Sequence, residues 1–302
     1  MTNVIEIDSL HYRPGKGFAL RDLSIHVPAG AIYGFLGPNG SGKTTTIRLV
    51  LGLLRPQSGR ITVLGDRMPD DAPKILARVG YVPEQPHLDP TLTVNEIVRF
   101  QAAFYPTWDG ARAAQLLRQF DLDGERLFGR LSKGQKAKVM ILLALAQQGD
   151  LLVLDEPTDG LDPVVRRDIL AALLEYVSQR GAAVFISSHL VHEIERICDW
   201  IAVMDDGRLV TEVPMEQLKN GTKRLRVAGA PATLGPTPFA LFAREPATAA
   251  AETWVVGEWK PEMAGYFPGI GASLQDVIDL DLEDGFVELL RSFRGSRREG
   301  SA

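Results

Sequence analysis

The run GPNGSGKT at residues 37–44 constrains this chain more than any other feature. It follows the apolar segment AIYGFLG (31–37) and leads into KTTTIRLVLGLL (43–54), so a strand, a glycine turn and a helix come in succession. Gly40 and Gly42 let the backbone turn so that successive N–H groups face inward, and the helix that follows adds its positive N-terminal end. Such a loop is built for the oxyanions of phosphate. Lys43 has the reach to meet β- and γ-phosphates, and the hydroxyl of Thr44 is a Mg²⁺ ligand. The candidate nucleotide-binding residues here are Gly37, Pro38, Asn39, Gly40, Ser41, Gly42, Lys43, Thr44 and Thr45.

A second motif completes the chemistry. In LLVLDEP (151–157) four apolar residues bury a strand, and Asp155 emerges at its carboxyl end, where open α/β sheets place ligands. Asp155 would hold Mg²⁺, directly or through water. Glu156 follows at once, placed to orient and polarise an attacking water, which points to turnover rather than binding alone. LSKGQ (131–135) has a local meaning too. Ser132 can cap the next helix while Gln135 reciprocates in a capping box, and Gly134 leaves room for close approach to exposed N–H groups that attract phosphate. On its own this segment is equally an ordinary capped helix.

The remaining pattern predicts an α/β chain with a helical insertion. AVFISS (183–188) is a second short apolar run of the kind covered on both faces of a parallel sheet, and residues 164–181 have the length of a crossover helix. VIEI (4–7), RDLSIHV (21–27) and RITVLGD (60–66) read as strands, and 201–213 as a hairpin on an Asp-Asp-Gly turn. Residues 88–148 carry helical periodicity in 95–104, 111–120 and 133–147. From 221 the character shifts: TKRLRVAG and WVVGEW read as strands, PATLGPTPFA (231–240) and REPATAAAE (244–252) as loops, SLQD (273–276) and DLED (281–284) as helix starts, and SRREGSA (296–302) as a frayed charged tail. Phe286, Leu289, Leu290 and Phe293 share one face of the last helix. The expected division is a large domain over 1–220, with its helical subdomain at about 88–148, and a small α+β accessory domain over 221–302.

Composition excludes several classes. A net charge of −5 supplies no broad positive field for a nucleic-acid backbone, so nucleic acid is not the expected partner. The one cysteine, Cys198, rules out an internal disulfide and reads as a small buried hydrophobe. No stretch of eighteen or more apolar residues is present, and MTNVIEIDSLHY does not have the pattern of a secretion signal, so a membrane role is expected to come through a partner chain.

With these motifs in hand, the chain over about residues 4–215 resembles the ATP-binding-cassette family. LSKGQ stands where that family has its LSGGQ signature, Gln85 in YVPEQP is similar to its Q-loop glutamine, TDGLD (158–162) to its D-loop, and His189 in SSHL to its switch histidine. Tyr12 is spaced like the aromatic that stacks on adenine; a plain surface or core aromatic is the other reading. The stretch from FYPTWDG (104–110) onward looks like stand-alone bacterial exporter ATPases of the YtrB-like group, and the ending DLEDGFVELL (281–290) is similar to that of multidrug and antibiotic exporter cassettes. The resemblance implies an α/β fold, a P-loop NTPase cassette with a mixed central sheet and a helical subdomain, and a Mg²⁺-dependent ATPase. It further implies a homodimer that sandwiches two ATP molecules. Lys43, Thr44, Gln85, Asp155, Glu156 and His189 of one protomer would face each ATP, with Ser132, Gly134 and Gln135 of the other. Lys43, Gln85, Glu156 and His189 would be catalytic, Thr44, Gln85 and Asp155 would surround the metal, and Asp162 would link the two sites.

The same resemblance implies docking on a separate transmembrane transporter subunit through the helical subdomain and residues 86–93. That would place the chain in the cytoplasm, on the inner face of the membrane. A soluble cassette ATPase acting on nucleic acid or the ribosome, and a nonhydrolytic nucleotide sensor, are the alternatives. Two positions depart from the family pattern. Lys133 puts a cation into the signature but leaves Ser132, Gly134 and Gln135 in place, so activity is expected to survive; Asp159 puts a carboxylate where a small neutral residue is usual, and either tunes dimer closure or simply faces solvent.

Overall fold

A computed structural model describes residues 2–15, 17–248 and 251–299. The chain divides into two compact units, Met1–His189 with Ile197–Thr211, and Leu190–Arg196 with Glu212–Ala302.

In chain order the first unit begins with strands β1 (Asn3–Tyr12), β2 (Leu20–Pro28) and β3 (Ile32–Leu36), then helix α1 (Lys43–Val50), β4 (Ser58–Val63) and β5 (Asp66–Met68). Next come α2 (Ala72–Leu76), β6 (Val79–Val82), the helical insertion α3 (Val94–Ala102), α4 (Gly110–Gln119) and α5 (Lys133–Ala146), and β7 (Leu151–Asp155). The long helix α6 (Pro163–Arg180), β8 (Ala183–Ser188) and β9 (Trp200–Asp205) follow, and β10 (Arg208–Pro214) starts in this unit. Strands β2-β1-β4-β5 form an antiparallel sheet, while a six-stranded sheet runs β10-β9-β3-β8-β7-β6. β3 lies parallel between β8 and β9, and β7 parallel between β8 and β6.

The apolar runs explain that topology. Every residue of β3, β7 and β8 is buried, as strands covered on both faces require. β6 and α2, which carry no strong period of their own, were not legible in the sequence; β6 is a strand because β7 pairs with it from Leu151↔Val79 to Leu154↔Val82. Helix α5 starts at the expected capping box, with the Ser132 hydroxyl accepting from the Gln135 N–H at 3.2 Å and the Gln135 side chain accepting from the Ser132 N–H at 3.1 Å. Two backbone N–H groups that the helix itself leaves without acceptors are thereby satisfied at its N-terminus. Cys198 is buried, and burial pushes its thiol well above the ordinary range.

The second unit takes in α7 (Val191–Ile194), α8 (Met215–Gly221), β11 (Lys223–Ala228), β12 (Ala240–Thr248), β13 (Ala251–Gly257), α9 (Tyr266–Gly269), β14 (Ser273–Asp279) and α10 (Leu282–Glu299). Its antiparallel sheet has the order β12-β13-β11-β14. Three expectations are corrected here. SLQD does not start a helix; it opens β14, which pairs along β11 from Lys223↔Asp279 to Ala228↔Ser273, so a non-local ladder overrides a local capping pattern. Of the two loop readings, 231–240 stays outside strands up to the start of β12 at Ala240, whereas 244–248 of the second belong to β12 and 251–252 to β13. Pro246 lies within β12, tolerated because β12 is an edge strand with a register shift between Pro246 and Thr248, where the missing N–H breaks no ladder. The charged tail is not frayed from residue 296, since α10 continues to Glu299; the last three residues lie outside those described. DLED does start a helix, with the Asp281 carboxylate accepting from the Asp284 N–H at 2.8 Å, and Phe286, Leu289 and Leu290 are buried on its inner face.

Trp254 and Trp259 are core residues. Trp254 is fully buried among Phe239, Phe267 and Leu225, donates from Nε1 to Glu252 at 2.8 Å, and carries the Arg244 guanidinium 5.4 Å above its ring. The Arg244 hydrogen bond in turn holds the Glu252 carboxyl below its usual range. Trp254→Ala removes the centre of this cluster and is expected to cost about 3–5 kcal/mol of the second unit's stability. Urea unfolding followed at the second unit would check it, and a change below about 1 kcal/mol would mean the aromatic cluster does not hold that unit together.

Candidate functional site

Strand register assembles the site. Leu36 pairs with Ser188, and Asp155 with Ser187, so β3, β7 and β8 end level at one edge of the sheet. The next residue along each strand is Gly37, Glu156 and His189. The phosphate-loop motif, the acidic pair and the histidine, spread over some 150 positions of sequence, therefore meet at one carboxyl edge. Two loop glycines are there for space: a Cβ on Gly37 would stand 2.3 Å from the Met204 carbonyl, and Gly42, at φ 115°, would place one 2.7 Å from Phe18.

Lys43, at the first position of α1, is almost wholly buried. Its ammonium donates to the Gly37 carbonyl at 2.7 Å and to that of Pro38 at 3.4 Å, and it pairs with Glu156 Oε1 at 3.1 Å. Glu156 Oε2 lies 2.9 Å from His189 Nδ1. Beside this chain, Asp155 is 1% exposed and its Oδ1 accepts from the Ser187 hydroxyl at 2.8 Å and from the Thr44 hydroxyl at 3.1 Å. Burial raises the Asp155 carboxyl, while those two hydrogen bonds pull it down. Glu156 itself is left-handed, at φ 48°, a conformation a branched-out carboxylate residue adopts at a cost. Its N–H is tied at 3.0 Å to the same Ser187 hydroxyl, so one serine aims both acidic residues.

The donor set fits Mg²⁺. Thr44 and Asp155 offer adjoining hard oxygens, and Mg²⁺ takes one or two such protein ligands, filling its remaining positions with water and phosphate. Among the described residues no group of three or more His, Cys, Asp or Glu side chains converges as a metal cage, and a site of this kind does not need one.

A cavity of about 490 Å³ opens at the phosphate loop, lined by Asn39, Gly40, Gly42, Lys43, Thr44, Thr45, Glu156 and His189 among the expected residues, and also by Phe18, Glu84 and Asp159. Gly37, Pro38 and Ser41 belong to the same loop, and the buried Ser41 hydroxyl has no hydrogen-bond partner among the described residues, an opening for an incoming acceptor. Tyr12 is not on this wall. It packs half-buried against the hydrophobic core at the end of β1, whereas the aromatic at the cavity is Phe18. Gln85 is exposed on a neighbouring cavity of about 500 Å³, shared with Lys133, Lys136, Glu156 and Asp159; its neighbour Glu84 reaches both. Ser132 and Gln135 close the capping box of α5, and Gly134 sits against Val165, where a Cβ would stand 3.1 Å from Cγ2. Asp162 caps α6, its Oδ1 accepting from the Val164 and Val165 N–H groups at 3.0 Å. Within the single chain these last four residues are not gathered at the phosphate loop.

Sequence reasoning missed Phe18, Glu84 and Ser187. Ser187 had a signal, since a hydroxyl at the end of an otherwise apolar buried strand calls for a partner.

Comparison with known proteins decides the family. The ABC transporter model matches residues 20–159, and bacitracin transport ATP-binding protein BcrA of Bacillus licheniformis is 35% identical over 74% of this chain and 74% of its own length. The chain belongs to the ABC transporter family. Nod factor export ATP-binding protein I of Burkholderia orbicola is 38% identical over 69% of this ABC protein and 70% of its own length. YtrB of Bacillus subtilis is 31% identical over 74% and 77%. Among solved structures, one described as the ATP-binding subunit of an ABC transporter superposes with a TM-score of 0.65 at 30% identity, over 72% of this chain and 92% of that one. A dimeric ATP-binding cassette in a post-hydrolysis state with ADP and Pi has a TM-score of 0.62 at 25% identity, over 70% and 98%. The α/β cassette fold and an ATP-binding ATPase of the ABC family are thereby established for this chain.

Proposed function

We propose that this ABC protein is the Mg²⁺-dependent ATP-hydrolysing subunit of an exporter, acting as a homodimer whose closure moves a separate transmembrane subunit. The observation that carries this reading is the Lys43–Glu156–His189 chain set beside Asp155 and Thr44 at one sheet edge. In it, the phosphate loop grips the β- and γ-phosphates through backbone N–H groups and Lys43. Thr44, Asp155 and Gln85 would hold the metal ion, which would supply positive charge against the phosphates. Glu156, released from Lys43 by the arriving phosphate, orients and polarises the attacking water, and His189 faces the γ-phosphate. Ser132, Gly134 and Gln135 complete the ATP site of the opposite protomer and Asp162 connects the two sites, which is why hydrolysis waits on closure. Tyr12 and Phe18 are the candidate aromatics for adenine.

Exporter coupling is supported by what the relatives are named for, bacitracin transport and Nod factor export, and the homodimer by the dimeric cassette structure. No helix among the described residues is long and apolar enough to cross a membrane. The membrane part is assigned to another chain, with this one at the inner face of the membrane. Phe100 and Phe104, an edge-to-face pair 5.0 Å apart, stand exposed on the helical insertion and give that part of the docking surface an aromatic pair. Residues 1–220 would be the working cassette and 221–302 an accessory domain.

Affinity purification of natively expressed Glu156→Gln protein in Mg²⁺ and ATP tests the assignment. Recovery of a stoichiometric multi-span membrane chain is expected; recovery of ribosomes or nucleic acid without such a chain would replace the exporter reading with a soluble mechanical ATPase.

A further inference from the structure

We propose that Asp159 is an internal stand-in for phosphate: its carboxylate faces the nitrogen of His189 that nucleotide must claim, and Lys133 sets how strongly that charge is felt there. The inference rests on the ATP-hydrolysing reading and adds a positioning role for two residues that reading leaves unused.

His189 sits between two carboxylates. Nδ1 lies 2.9 Å from Glu156 Oε2, and Nε2 lies 3.7 Å from Asp159 Oδ1. A neutral imidazole has one N–H and one acceptor nitrogen, and an imidazolium has two N–H groups; in either form both nitrogens here face oxygens of the chain itself. A γ-phosphate that approaches Nε2 meets the Asp159 carboxylate, which faces that nitrogen at a distance longer than a hydrogen bond and so acts on it through charge. Glu156 is the stronger holder, closer and almost wholly buried, so Asp159 at 42% exposure is the partner that yields.

The other oxygen of Asp159 faces a second cation. Oδ2 lies 3.6 Å from Lys133 Nζ, which projects from the first position of α5. The ammonium rests over the turn that carries Asp159: a Cβ on Gly160, at φ 61°, would stand 2.5 Å from Nζ. That turn is itself closed by the Asp159 N–H donating to the Glu156 carbonyl at 3.2 Å, so Asp159 moves with the acidic pair and not with the insertion. Asp159 consequently lies on the wall between the phosphate-loop cavity and the cavity that holds Lys133 and Gln85. One carboxylate thus divides its charge between the imidazole and the signature-helix ammonium. The same logic operates one step deeper, where Glu156 occupies Lys43.

These groups are substantially exposed, so each pairing is weak and the expected effects are small but of opposite sign. Removing the carboxylate in Asp159→Asn frees His189 and should tighten ATP binding about 2- to 5-fold, the scale of an exposed ion pair. Removing the counter-ion in Lys133→Gln leaves Asp159 to His189 alone and should weaken ATP binding by a similar factor, about 2- to 5-fold. ADP has no γ-phosphate, so its affinity should stay put in both variants. A merely structural change in the turn would move ATP and ADP together.

The experiment is a double-mutant cycle on the full chain, measuring equilibrium ATP and ADP affinities for wild type, Asp159→Asn, Lys133→Gln and the double variant, with Asp159→Ser as a second removal of the charge. Support is a rise in the ATP-to-ADP preference with Asp159→Asn and Asp159→Ser, a fall with Lys133→Gln, and loss of the Lys133→Gln effect once Asp159 is gone. A Lys133→Gln effect that persists in the Asp159→Asn background means the ammonium acts on nucleotide directly, and overturns the inference. So does an unchanged ATP-to-ADP preference in Asp159→Asn when wild type binds ATP normally. Wild-type protein that binds neither nucleotide overturns the ATP-hydrolysing reading itself.

Discussion

Purified Glu156→Gln protein is expected to bind ATP at least as well as wild type and to turn it over about 10²- to 10⁴-fold more slowly, the contribution of a positioned acid–base group. The two halves of that expectation come from different contacts. Turnover falls because the amide is a far weaker base than the carboxylate and cannot polarise water. Binding holds or improves because Glu156 Oε1 sits 3.1 Å from Lys43 Nζ, and a neutral side chain no longer competes with phosphate for that ammonium. With hydrolysis blocked, ATP-dependent dimers should accumulate. Steady-state ATPase rate, nucleotide affinity and sizing chromatography with ATP measure the three consequences separately. A normal steady-state rate would show that another residue prepares the water.

Lys43→Ala should act in the opposite direction on binding. Losing a charge-assisted contact to the β- and γ-phosphates is worth roughly 2–4 kcal/mol, which corresponds to a fall in ATP affinity of roughly 30- to 1,000-fold. ADP affinity should fall as well and AMP affinity should barely change, because AMP has nothing for the ammonium to hold. The variant also disturbs the phosphate loop itself. Lys43 secures the phosphate loop through Gly37 and Pro38, and its removal leaves the nearly buried Glu156 carboxylate without its cation, so a drop in thermal midpoint is expected before any nucleotide is added. Comparing ATP, ADP and AMP separates the two effects, since a merely destabilised protein would lose affinity for all three alike. Equal affinity of Lys43→Ala and wild type for ATP would remove Lys43 from the phosphate site.

Both variants rest on residues that the sequence placed next to recognisable neighbours, and what was legible followed a simple rule. Features carried by a few adjacent residues were readable: the glycine turn before Lys43, the apolar run ending in Asp155 and Glu156, the Ser132–Gln135 capping box, and the Asp281 cap of the last helix. Backbone geometry, side-chain chemistry and burial of a short run are all local there, and nothing distant contradicts them.

Features that depend on pairing across the chain were not readable. The 273–279 segment carries a helix-start pattern yet is a strand, because its partner β11 lies some fifty residues upstream and a ladder outweighs a cap. Pro246 marked a loop by composition, and only an edge position in the sheet makes it tolerable in a strand. At the site, Tyr12 has suitable spacing, but spacing does not say which aromatics line the cavity, and the turn after β1 brings Phe18 to its wall. Ser187 aims Asp155 and Glu156 together, and Asp159 meets both His189 and Lys133, only because β3, β7 and β8 end in register. The sequence by itself therefore determined the chemistry this ABC protein carries and the elements that present it. The tertiary structure decided which of those groups touch, because strand register and edge position are properties of residues far apart in the chain and of no single run within it.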